Sequence, residues 1–200
     1  MNICILLAAG KSLRFGSNKQ LYTLPTTGKS VLDTCIQTLV KVVDKVIVVT
    51  NDMIHTKNRK VICVPNHIDC RLQSISAGLK YIDRYYSLKT LNIIIHDAAR
   101  PFITVEHVQN LLKCRTKYSQ YCLRLTNGLI YKGTKCVNRD EYMELCTPLC
   151  INYMICKKLC TNGVPYEFID GLVSLKIDYK LIPSSYKHLR KITTIDDIYV

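Results

Sequence analysis

The sequence is poor in several features, and each shortage excludes a class of protein. Only 8 glycines and 6 prolines occur in 200 residues, without a repeat, a low-complexity tract or a linker. This composition excludes fibrous and disordered chains, and it predicts one globular domain over residues 1–200. The apolar opening stretch is too short to cross a bilayer and runs directly into a polar loop, so no membrane partner is expected.

The 11 cysteines include no CxxC pair, the spacing that is typical of zinc sites and dithiol redox motifs. Several of them, such as Cys4 and Cys63, lie inside apolar runs, as reduced thiols that act as small buried hydrophobes do. The sequence therefore predicts a reducing compartment, the cytoplasm, and no zinc site.

Acidic residues are scarce, since 15 Asp and Glu face 28 Lys and Arg, which gives a net charge of +13 and a pI near 9.3. Such a charge predicts an anionic partner, whether nucleic acid, a membrane surface or a phosphorylated small molecule. The 13 tyrosines are scattered, without the interleaving of aromatic and basic residues that a single-strand binding platform needs. Nucleic acid is therefore not the expected partner.

Strand-like apolar runs alternate with helical periods along most of the chain. The pattern predicts strands over residues 3–8, 46–50, 60–64, 91–96, 121–125 and 179–183. It predicts helices over residues 30–43, 71–86, 104–117, 140–145, 151–160 and 167–176, with Ser30 and Thr104 as N-caps of the first and third. Two glycines between short apolar pieces predict a small hairpin, a β-arm, at about residues 127–137. The alternation is typical of an α/β domain with a mostly parallel sheet covered on both faces.

The loop that follows the first strand, LAAGKSLRFGSNKQ (residues 7–20), has the composition of a phosphate-binding loop. Ala8, Ala9 and Gly10 are small enough for the backbone to approach a ligand closely, and Lys11, Arg14 and Lys19 follow at short intervals. The loop is neither a Walker A motif nor GxGxxG, and read alone it could equally be a solvated surface turn.

The run NIIIHDAARPF (residues 92–102) ends a buried strand in a polar turn. Ligands of α/β sheets bind at the carboxyl ends of strands, so this turn predicts a ligand-facing loop. We interpret His96 as structural, holding the turn by a hydrogen bond, and Asp97 as the acid that faces the ligand.

Five motifs in order resemble those of CTP-dependent cytidylyltransferases that act on polyol phosphates such as 2-C-methyl-D-erythritol 4-phosphate and ribitol 5-phosphate. They are LAAGKSLRFGSNKQ, RLQSISAGL (71–79), IHDAARPF (95–102), NRDEYMELCTP (138–148) and RKITTIDDI (190–198). The resemblance implies a Rossmann-like nucleotidyltransferase fold, Mg²⁺ as cofactor, CTP and a small polyol phosphate as partners, and a homodimer joined through a short projecting β-arm. YEFIDGL and HLRKIT favour ribitol 5-phosphate as the acceptor.

The resemblance also implies roles for single residues. Arg14 and Lys19 match cations on the triphosphate, and Lys191 matches a lysine at the α-phosphate, which makes these three the catalytic candidates. Nucleotide-binding positions are matched by Ala8, Ala9, Gly10, Asp69, Ser74 and Asp97, and Asp97 also matches the acid near the Mg²⁺. Acceptor-binding positions are matched by Arg100, Arg139, Thr147 and Asp170. Ser12 stands where the family loop commonly has a second glycine, and Gly78 matches a residue that helps a helix to pack.

The chemistry of the implied reaction supports the same assignment independently of the motifs. Transfer of a phosphoryl group between two polyanions requires positioning and cations more than a covalent nucleophile. Two alternatives stay open. Another nucleotidyltransferase, similar to molybdopterin guanylyltransferases, would share the Gly-Lys-Ser loop. A basic binding module without turnover would share the charge.

Overall fold

The chain is built around one seven-stranded sheet. The computed structural model describes residues 1–199 except 52, 53, 55, 69, 87–91 and 163–166. Its strands are β1 (Asn2–Ala8), β2 (Thr23–Leu24), β3 (Lys29–Ser30), β4 (Lys45–Thr50), β5 (Val61–Pro65), β6 (Asn92–Asp97), β7 (Tyr118–Arg124), β8 (Leu129–Tyr131), β9 (Lys135–Val137), β10 (Met143–Asn152) and β11 (Lys180–Pro183). Its helices are α1 (Val31–Leu39), α2 (Arg71–Tyr85), α3 (Val105–Lys113), α4 (Tyr153–Asn162), α5 (Phe168–Ser174) and α6 (Tyr186–Leu189).

The sheet has the strand order β11-β7-β10-β6-β1-β4-β5. Neighbouring strands run parallel except at β10, which is antiparallel to both β6 and β7. The order reverses direction at β1 and β6, and such a switch point opens a crevice at the carboxyl ends of the strands. The prediction of a mostly parallel sheet flanked by helices is confirmed.

Helices cover both faces of the sheet because alternate residues of the central strands are buried on opposite sides. On one face, Cys4 and Leu6 of β1 pack in a core cluster with residues of α1 and α3. On the other face, Ile3 and Ile5 pack with residues of α2, α4 and α5. Both faces of β1 are therefore covered by apolar side chains, and its carboxyl end is the part that remains open to a polar ligand.

Helix α2 lies unusually close to β1 at one point. A Cβ atom added at Gly78 would come within 2.9 Å of the Cδ1 and Cγ2 atoms of Ile5. Glycine therefore lets the two elements approach, as the motif RLQSISAGL predicts, and this approach fixes where the first turn of α2 meets the end of the sheet.

The predicted helix over residues 140–145 is wrong. Residues Arg139–Glu141 form a single 3₁₀ turn, and Met143–Asn152 form β10, which also takes the first two residues of the helix predicted over 151–160. Strand β10 is buried between β6 and β7, so its sequence lacks the alternation of a half-exposed strand. Pro148 argues against a strand interior, but it lies where the register with β7 shifts, between Cys146 and Leu149, and a bulge tolerates proline.

The other elements differ from the prediction mainly at their ends. Helix α1 ends at Leu39 and α3 at Lys113, and β7 begins earlier than predicted, at Tyr118. The predicted N-caps hold, since the hydroxyls of Ser30 and Thr104 accept hydrogen bonds from backbone N–H groups three residues further on. The predicted start of β6 at residue 91 lies outside the described residues.

The expected arm is a two-stranded hairpin of β8 and β9, which pair antiparallel apart from the main sheet. Ile130 and Tyr131 on this hairpin are 61% and 58% exposed. Among the described residues, no helix is long and apolar enough to cross a membrane.

Candidate active site

A cavity of about 380 Å³ opens at the carboxyl ends of β1 and β6, at the switch point of the sheet. We call it the basic cavity. Its lining comes from the loop after β1, the start of α2, the turn after β6 and the segment after α6. It consists of Leu7, Ala9, Gly10, Lys11, Ser12, Leu13, Arg14, Lys19, Gln20, Cys70, Arg71, Ser74, Asp97, Ala99, Lys191 and Thr193. Five of these lining residues are cations, and Asp97 is the one carboxylate in the lining among the residues that the structure describes.

The loop after β1 is anchored to the residue that follows β4. The side-chain amide of Asn51, at the end of β4, donates to the carbonyl of Ala9 over 2.7 Å. Ala9 and Gly10 line the basic cavity, and a Cβ atom at Gly10 would meet nothing within 4 Å. The backbone is therefore open to close approach by a ligand. Ala8 lies one residue earlier, buried within β1, and does not line the cavity.

Ser12 adopts a backbone conformation that explains the glycine expected there. Its φ of 55° and ψ of 28° are left-handed, a region that glycine occupies without strain. The Ser12 hydroxyl donates to Gln20 over 3.0 Å and accepts the backbone N–H of Lys19 at 3.4 Å. Serine thus replaces glycine at a backbone cost that these side-chain hydrogen bonds offset.

The catalytic candidates converge from opposite ends of the chain. Lys19 Nζ donates to the carbonyl of Ile192 over 2.8 Å, which joins the loop after β1 to the segment that carries Lys191. Burial lowers the pKa of Lys19, and the nearby charges of Lys191 and Arg14 lower it further. The three cations therefore repel one another across the cavity, and an anion bound between them would relieve that repulsion.

An apolar cluster holds these two segments together behind the cations. Phe15 and Leu24 of the N-terminal segment pack with Ile192 and Ile198 near the C-terminus. The Asp197 carboxylate accepts backbone N–H bonds from the two threonines at 193 and 194, at 2.7 and 2.8 Å. Lys19 and Lys191 are therefore carried by one packed unit, although they come from opposite ends of the sequence.

Asp97 is fixed at the end of β6 by the backbone around it. Its N–H donates to the hydroxyl of Thr147 at 3.1 Å, and the next N–H, of Ala98, donates to the Leu7 carbonyl at 2.9 Å. Its two carboxylate oxygens lie 4.0 Å from Arg71 Nε and 4.0 Å from Lys191 Nζ. The acid thus sits between two cations without a direct hydrogen bond to either.

His96 has the structural role that we predict for it. It is fully buried, and its Nε2 lies 3.0 Å from the carbonyl of Arg100. Burial lowers its pKa to about 4, so the ring is neutral near pH 7 and its Nε2–H can donate to that carbonyl. The Cys35 thiol supports the same turn by donating to the Ala98 carbonyl over 3.4 Å.

The side of the cavity at the start of α2 contains Ser74, one turn into that helix. Its hydroxyl donates to the carbonyl of Cys70 at 3.1 Å and accepts from the amide of Asn66 at 2.8 Å. The same amide donates to the carbonyl of Ile68 at 3.0 Å, so Asn66 ties the loop before α2 to the helix. Asp69, which the resemblance also assigns to the nucleotide, lies outside the described residues.

Asp97 suits a magnesium ion that arrives with a nucleotide. Mg²⁺ in nucleotide sites is held by one or two carboxylates together with substrate phosphates and waters, rather than by a cage of protein ligands. The described residues contain no cluster of three His, Cys, Asp or Glu side chains that could hold a metal alone. One carboxylate in a cavity of cations fits this donor set.

The four residues assigned to the acceptor do not line the basic cavity. Arg100 is 5% exposed, and its guanidinium donates to the carbonyl of Leu189 and lies 3.4 Å from Glu144. Thr147 is buried and accepts from Asp97. Arg139 is exposed at the base of the hairpin and donates to the Thr126 carbonyl. Asp170 closes a capping box with Glu167 at the start of α5.

A second cavity, of about 620 Å³, lies between the hairpin and the ends of β7, β10 and β11. We call it the arm cavity. It is lined by Leu123, Arg124, Leu125, Thr126, Asn127, Leu129, Glu144, Pro183, Ser184 and Tyr186. Arg100 reaches it through Glu144 and Arg139 through Thr126, so two acceptor candidates border this cavity.

Sequence reasoning missed Arg71, Gln20 and Thr193, which all line the basic cavity. Arg71 had a usable signal, because it opens the motif RLQSISAGL at the first residue of a helix, where anions bind. Gln20 and Thr193 also lie inside quoted motifs, but their place in the cavity depends on packing between the two ends of the chain, which no local pattern predicts.

A basic cavity at the switch point of a parallel sheet defines a nucleotide-binding α/β domain. The chain belongs to the family of MobA-like NTP transferase domains, which matches residues 4–153. This membership confirms the predicted nucleotidyltransferase enzyme, and the relatives confirm the resemblance to polyol-phosphate cytidylyltransferases.

Named relatives agree with this membership, and a solved structure has the same fold. A 2-C-methyl-D-erythritol 4-phosphate cytidylyltransferase of Thermotoga neapolitana is 29% identical over 171 residues, covering 79% of this chain and 76% of the relative. One of Clostridium acetobutylicum is 27% identical over 224 residues, covering 100% of this chain and 95% of the relative. The bifunctional IspDF of Campylobacter jejuni shares the fold, with a TM-score of 0.82 at 18% identity over 99% of this chain, which spans 53% of that protein.

Proposed function

We propose that this chain transfers the cytidylyl group of CTP to a small polyol phosphate and releases pyrophosphate. The observation that carries the proposal is the basic cavity, where five cations line the same space as Asp97 at the switch point of the sheet and two of them lie 4.0 Å from its carboxylate. The names of the two relatives favour 2-C-methyl-D-erythritol 4-phosphate as the acceptor. The preference for ribitol 5-phosphate that two C-terminal motifs indicate stays a prediction.

The reaction joins two phosphates without a covalent intermediate on the protein. An oxygen of the acceptor phosphate attacks the α-phosphorus of CTP, and a new P–O bond forms there. The bond from the α-phosphorus to the oxygen bridging the β-phosphorus breaks, and its electron pair leaves with pyrophosphate. No proton has to be removed from the nucleophile, because a phosphate monoester is largely ionised near neutral pH, with its second pKa at about 6.

The work of the protein in this reaction is to bind, orient and neutralise charge. Arg14 and Lys19 would bind the triphosphate, and Lys191 would face the α-phosphoryl group. A Mg²⁺ ion bound to the nucleotide would be held by Asp97 and would neutralise part of the phosphate charge. Ser74, fixed by Asn66, would orient the nucleoside so that the α-phosphorus faces the acceptor.

The test is pyrophosphate release by the purified chain with Mg²⁺, each of CTP and GTP, and each of the two acceptor phosphates. We expect release with CTP and with at least one acceptor. Release with GTP alone would favour the guanylyltransferase alternative. No release with any pair, together with salt-sensitive binding to RNA or DNA, would favour the basic binding module.

Further parts of the proposal concern assembly and location. We propose a homodimer through the hairpin of β8 and β9, because Ile130 and Tyr131 are exposed there. We also propose that the protein acts in the cytoplasm, where its 11 cysteines, all free in the structure, would stay reduced. Sedimentation of the purified chain tests the first point, and a purely monomeric chain at micromolar concentration would contradict it.

A further inference from the structure

Arg71 lies beside the acid of the basic cavity but has no role in the assignments above. It is the first residue of α2, and its Nε lies 4.0 Å from the Asp97 carboxylate. Lys191 lies at the same distance from the other oxygen of that carboxylate. Two cations therefore flank Asp97, one carried by α2 and the other by the C-terminal segment.

The guanidinium of Arg71 is oriented by Glu167, the N-cap of α5. Its Nη1 donates to Glu167 Oε2 over 3.1 Å, and the Arg71 and Glu167 side chains are 35% and 39% exposed. An arginine has five N–H donors in a fixed plane, so this bond leaves donors for a second anion. Nε is too far from Asp97 for a direct hydrogen bond, and Glu167 is the one hydrogen-bond partner of this guanidinium among the described residues, so its other donors are available to a phosphate oxygen in the cavity.

The neighbours of Arg71 indicate which phosphate this is. Ser74 lies three residues further along α2, on the same face of the helix, and both residues line the basic cavity. The charges of Lys191 and Arg14 lower the pKa of Lys19, so these three cations lie near one another, on the side of the cavity that we propose for the triphosphate. Arg71 thus lies near both Ser74, which is assigned to the nucleotide, and Asp97, which is assigned to the metal, where the α-phosphoryl group would be.

We infer that Arg71, oriented by Glu167, is a further catalytic residue that contacts a non-bridging oxygen of the α-phosphoryl group during transfer. The inference rests on the proposed function. The α-phosphoryl group has two non-bridging oxygens, and both gain charge as the attacking oxygen arrives. Lys191 faces one of them and Arg71 the other, so the pair flanking Asp97 stabilises the pentacoordinate transition state from two sides.

The kinetic test compares Arg71→Gln, Arg71→Lys and Glu167→Gln with Arg84→Gln. Arg84 is exposed near the end of the same helix, with its guanidinium over the Tyr85 ring, so its replacement removes the same charge away from the cavity. We expect Arg71→Gln to lower kcat by about 10² to 10³, as loss of an oxyanion donor does, with the KM for CTP changed less than about threefold. Arg71→Lys should recover part of kcat, Glu167→Gln should lower it by about tenfold, and Arg84→Gln should leave it unchanged.

A second readout does not require turnover. The ³¹P NMR spectrum of CTP bound with Mg²⁺ should show a change in the α-phosphorus shift between the unsubstituted chain and Arg71→Gln. The β and γ resonances, and every resonance in Arg84→Gln, should stay in place. Matching thermal melting curves establish that the variants fold.

The outcomes separate this inference from the proposed function. An unchanged kcat in Arg71→Gln, or a loss confined to KM, overturns the role of Arg71 alone, as does an unchanged α-phosphorus shift. If the unsubstituted chain releases no pyrophosphate but binds CTP with an α-phosphorus shift that depends on Arg71, the proposed transfer is contradicted. The contact between Arg71 and the α-phosphoryl group is then supported. If it binds no CTP, both fall.

Discussion

The basic cavity and the arm cavity lie at the same edge of the sheet, yet they are built in different ways. The basic cavity draws cations from the loop after β1, the start of α2 and the segment after α6, and its acid is fixed by backbone hydrogen bonds. Around the arm cavity, the residues assigned to the acceptor already bond to the protein itself, Arg100 to Leu189 and Arg139 to Thr126. The residues proposed for the nucleotide thus share one cavity of like charges, whereas Arg100 and Arg139, proposed for the acceptor, lie outside it, the first buried and the second exposed.

This difference indicates how the two groups of residues are positioned before a substrate binds. Cations that repel one another, as Lys19 and Lys191 do, are poised for an anion that relieves the repulsion. Arg100 is instead buried and donates to the carbonyl of Leu189. This bond holds the segment that carries Lys191 against the turn after β6. We therefore expect changes at the two ends to separate in kinetics, with the basic cavity affecting kcat and the arm cavity affecting the acceptor KM.

The largest expected effect comes from removing a cation of the basic cavity. Lys19→Ala and Lys191→Ala should each lower kcat by about 10² to 10³, because each removes a charge that faces the phosphates. Steady-state pyrophosphate release measures the loss. Lys187→Ala, at an exposed position of α6, is the matched control and should keep full activity. Full activity in both cavity variants would show that the triphosphate does not bind in the basic cavity.

A second prediction tests the close approach of α2 to β1. Gly78→Ala should lower the free energy of unfolding by about 1 to 3 kcal/mol, since the added methyl group overpacks against Ile5. Urea denaturation measures the change. Adding Ile5→Val removes the Cδ1 atom that this methyl group would meet, so the double variant should be destabilised less than the sum of the two single changes. Strict additivity would show that the two residues do not interact.

A third prediction concerns the turn that lies between the two cavities. Because burial lowers the pKa of His96 to about 4 from an ordinary value of 6.5, the unfolded chain binds more protons than the folded chain between these values. The contribution of His96 is therefore complete above about pH 6.5 and is lost as the pH falls toward 4, by about 2 kcal/mol at pH 5. His96→Gln should shrink the difference in unfolding free energy between pH 7 and pH 5 by about that amount. An unchanged difference would contradict a neutral buried ring.

The smallest predicted effect belongs to the arm cavity. Arg139→Ala should raise the KM for the acceptor phosphate by about tenfold, the effect of losing one charged hydrogen bond, and leave the KM for CTP unchanged. Arg115→Ala, after the end of α3, removes the same charge away from both cavities. A rise in the KM for CTP instead would indicate that Arg139 contacts the nucleotide, and it would contradict the assignment of the two cavities to different substrates.

Much of the fold is predictable because its signals are local. Apolar runs predict β1, β4, β5 and α2 to within one residue, the N-caps predict where α1 and α3 begin, and the hairpin follows from its glycines. Strand β10 was missed because burial between two strands removes the alternation on which a strand prediction depends. The loop after β1 and the turn after β6 were predictable as ligand-facing, since both follow buried strands.

The rest of the site depends on contacts between distant parts of the chain. Lys191 could be assigned from a motif, but its alignment with Lys19 through the Ile192 carbonyl is a tertiary contact. The burial of Arg100 is likewise set by Leu189 and Glu144, which no local pattern connects to it. Sequence motifs therefore indicate candidate residues around both cavities. Which of these candidates line the basic cavity is determined by tertiary packing, which the motifs do not predict.

Amide hydrogen exchange with and without Mg²⁺ and CTP tests the division between the two cavities most directly. Bound nucleotide should slow exchange in residues 9–20, at the start of α2 and in residues 191–194, because their backbone surrounds the basic cavity. Residues 124–131 at the arm cavity should exchange at the same rate with and without CTP. Protection confined to residues 124–131, with the loop after β1 unaffected, would contradict a nucleotide site at the ends of β1 and β6.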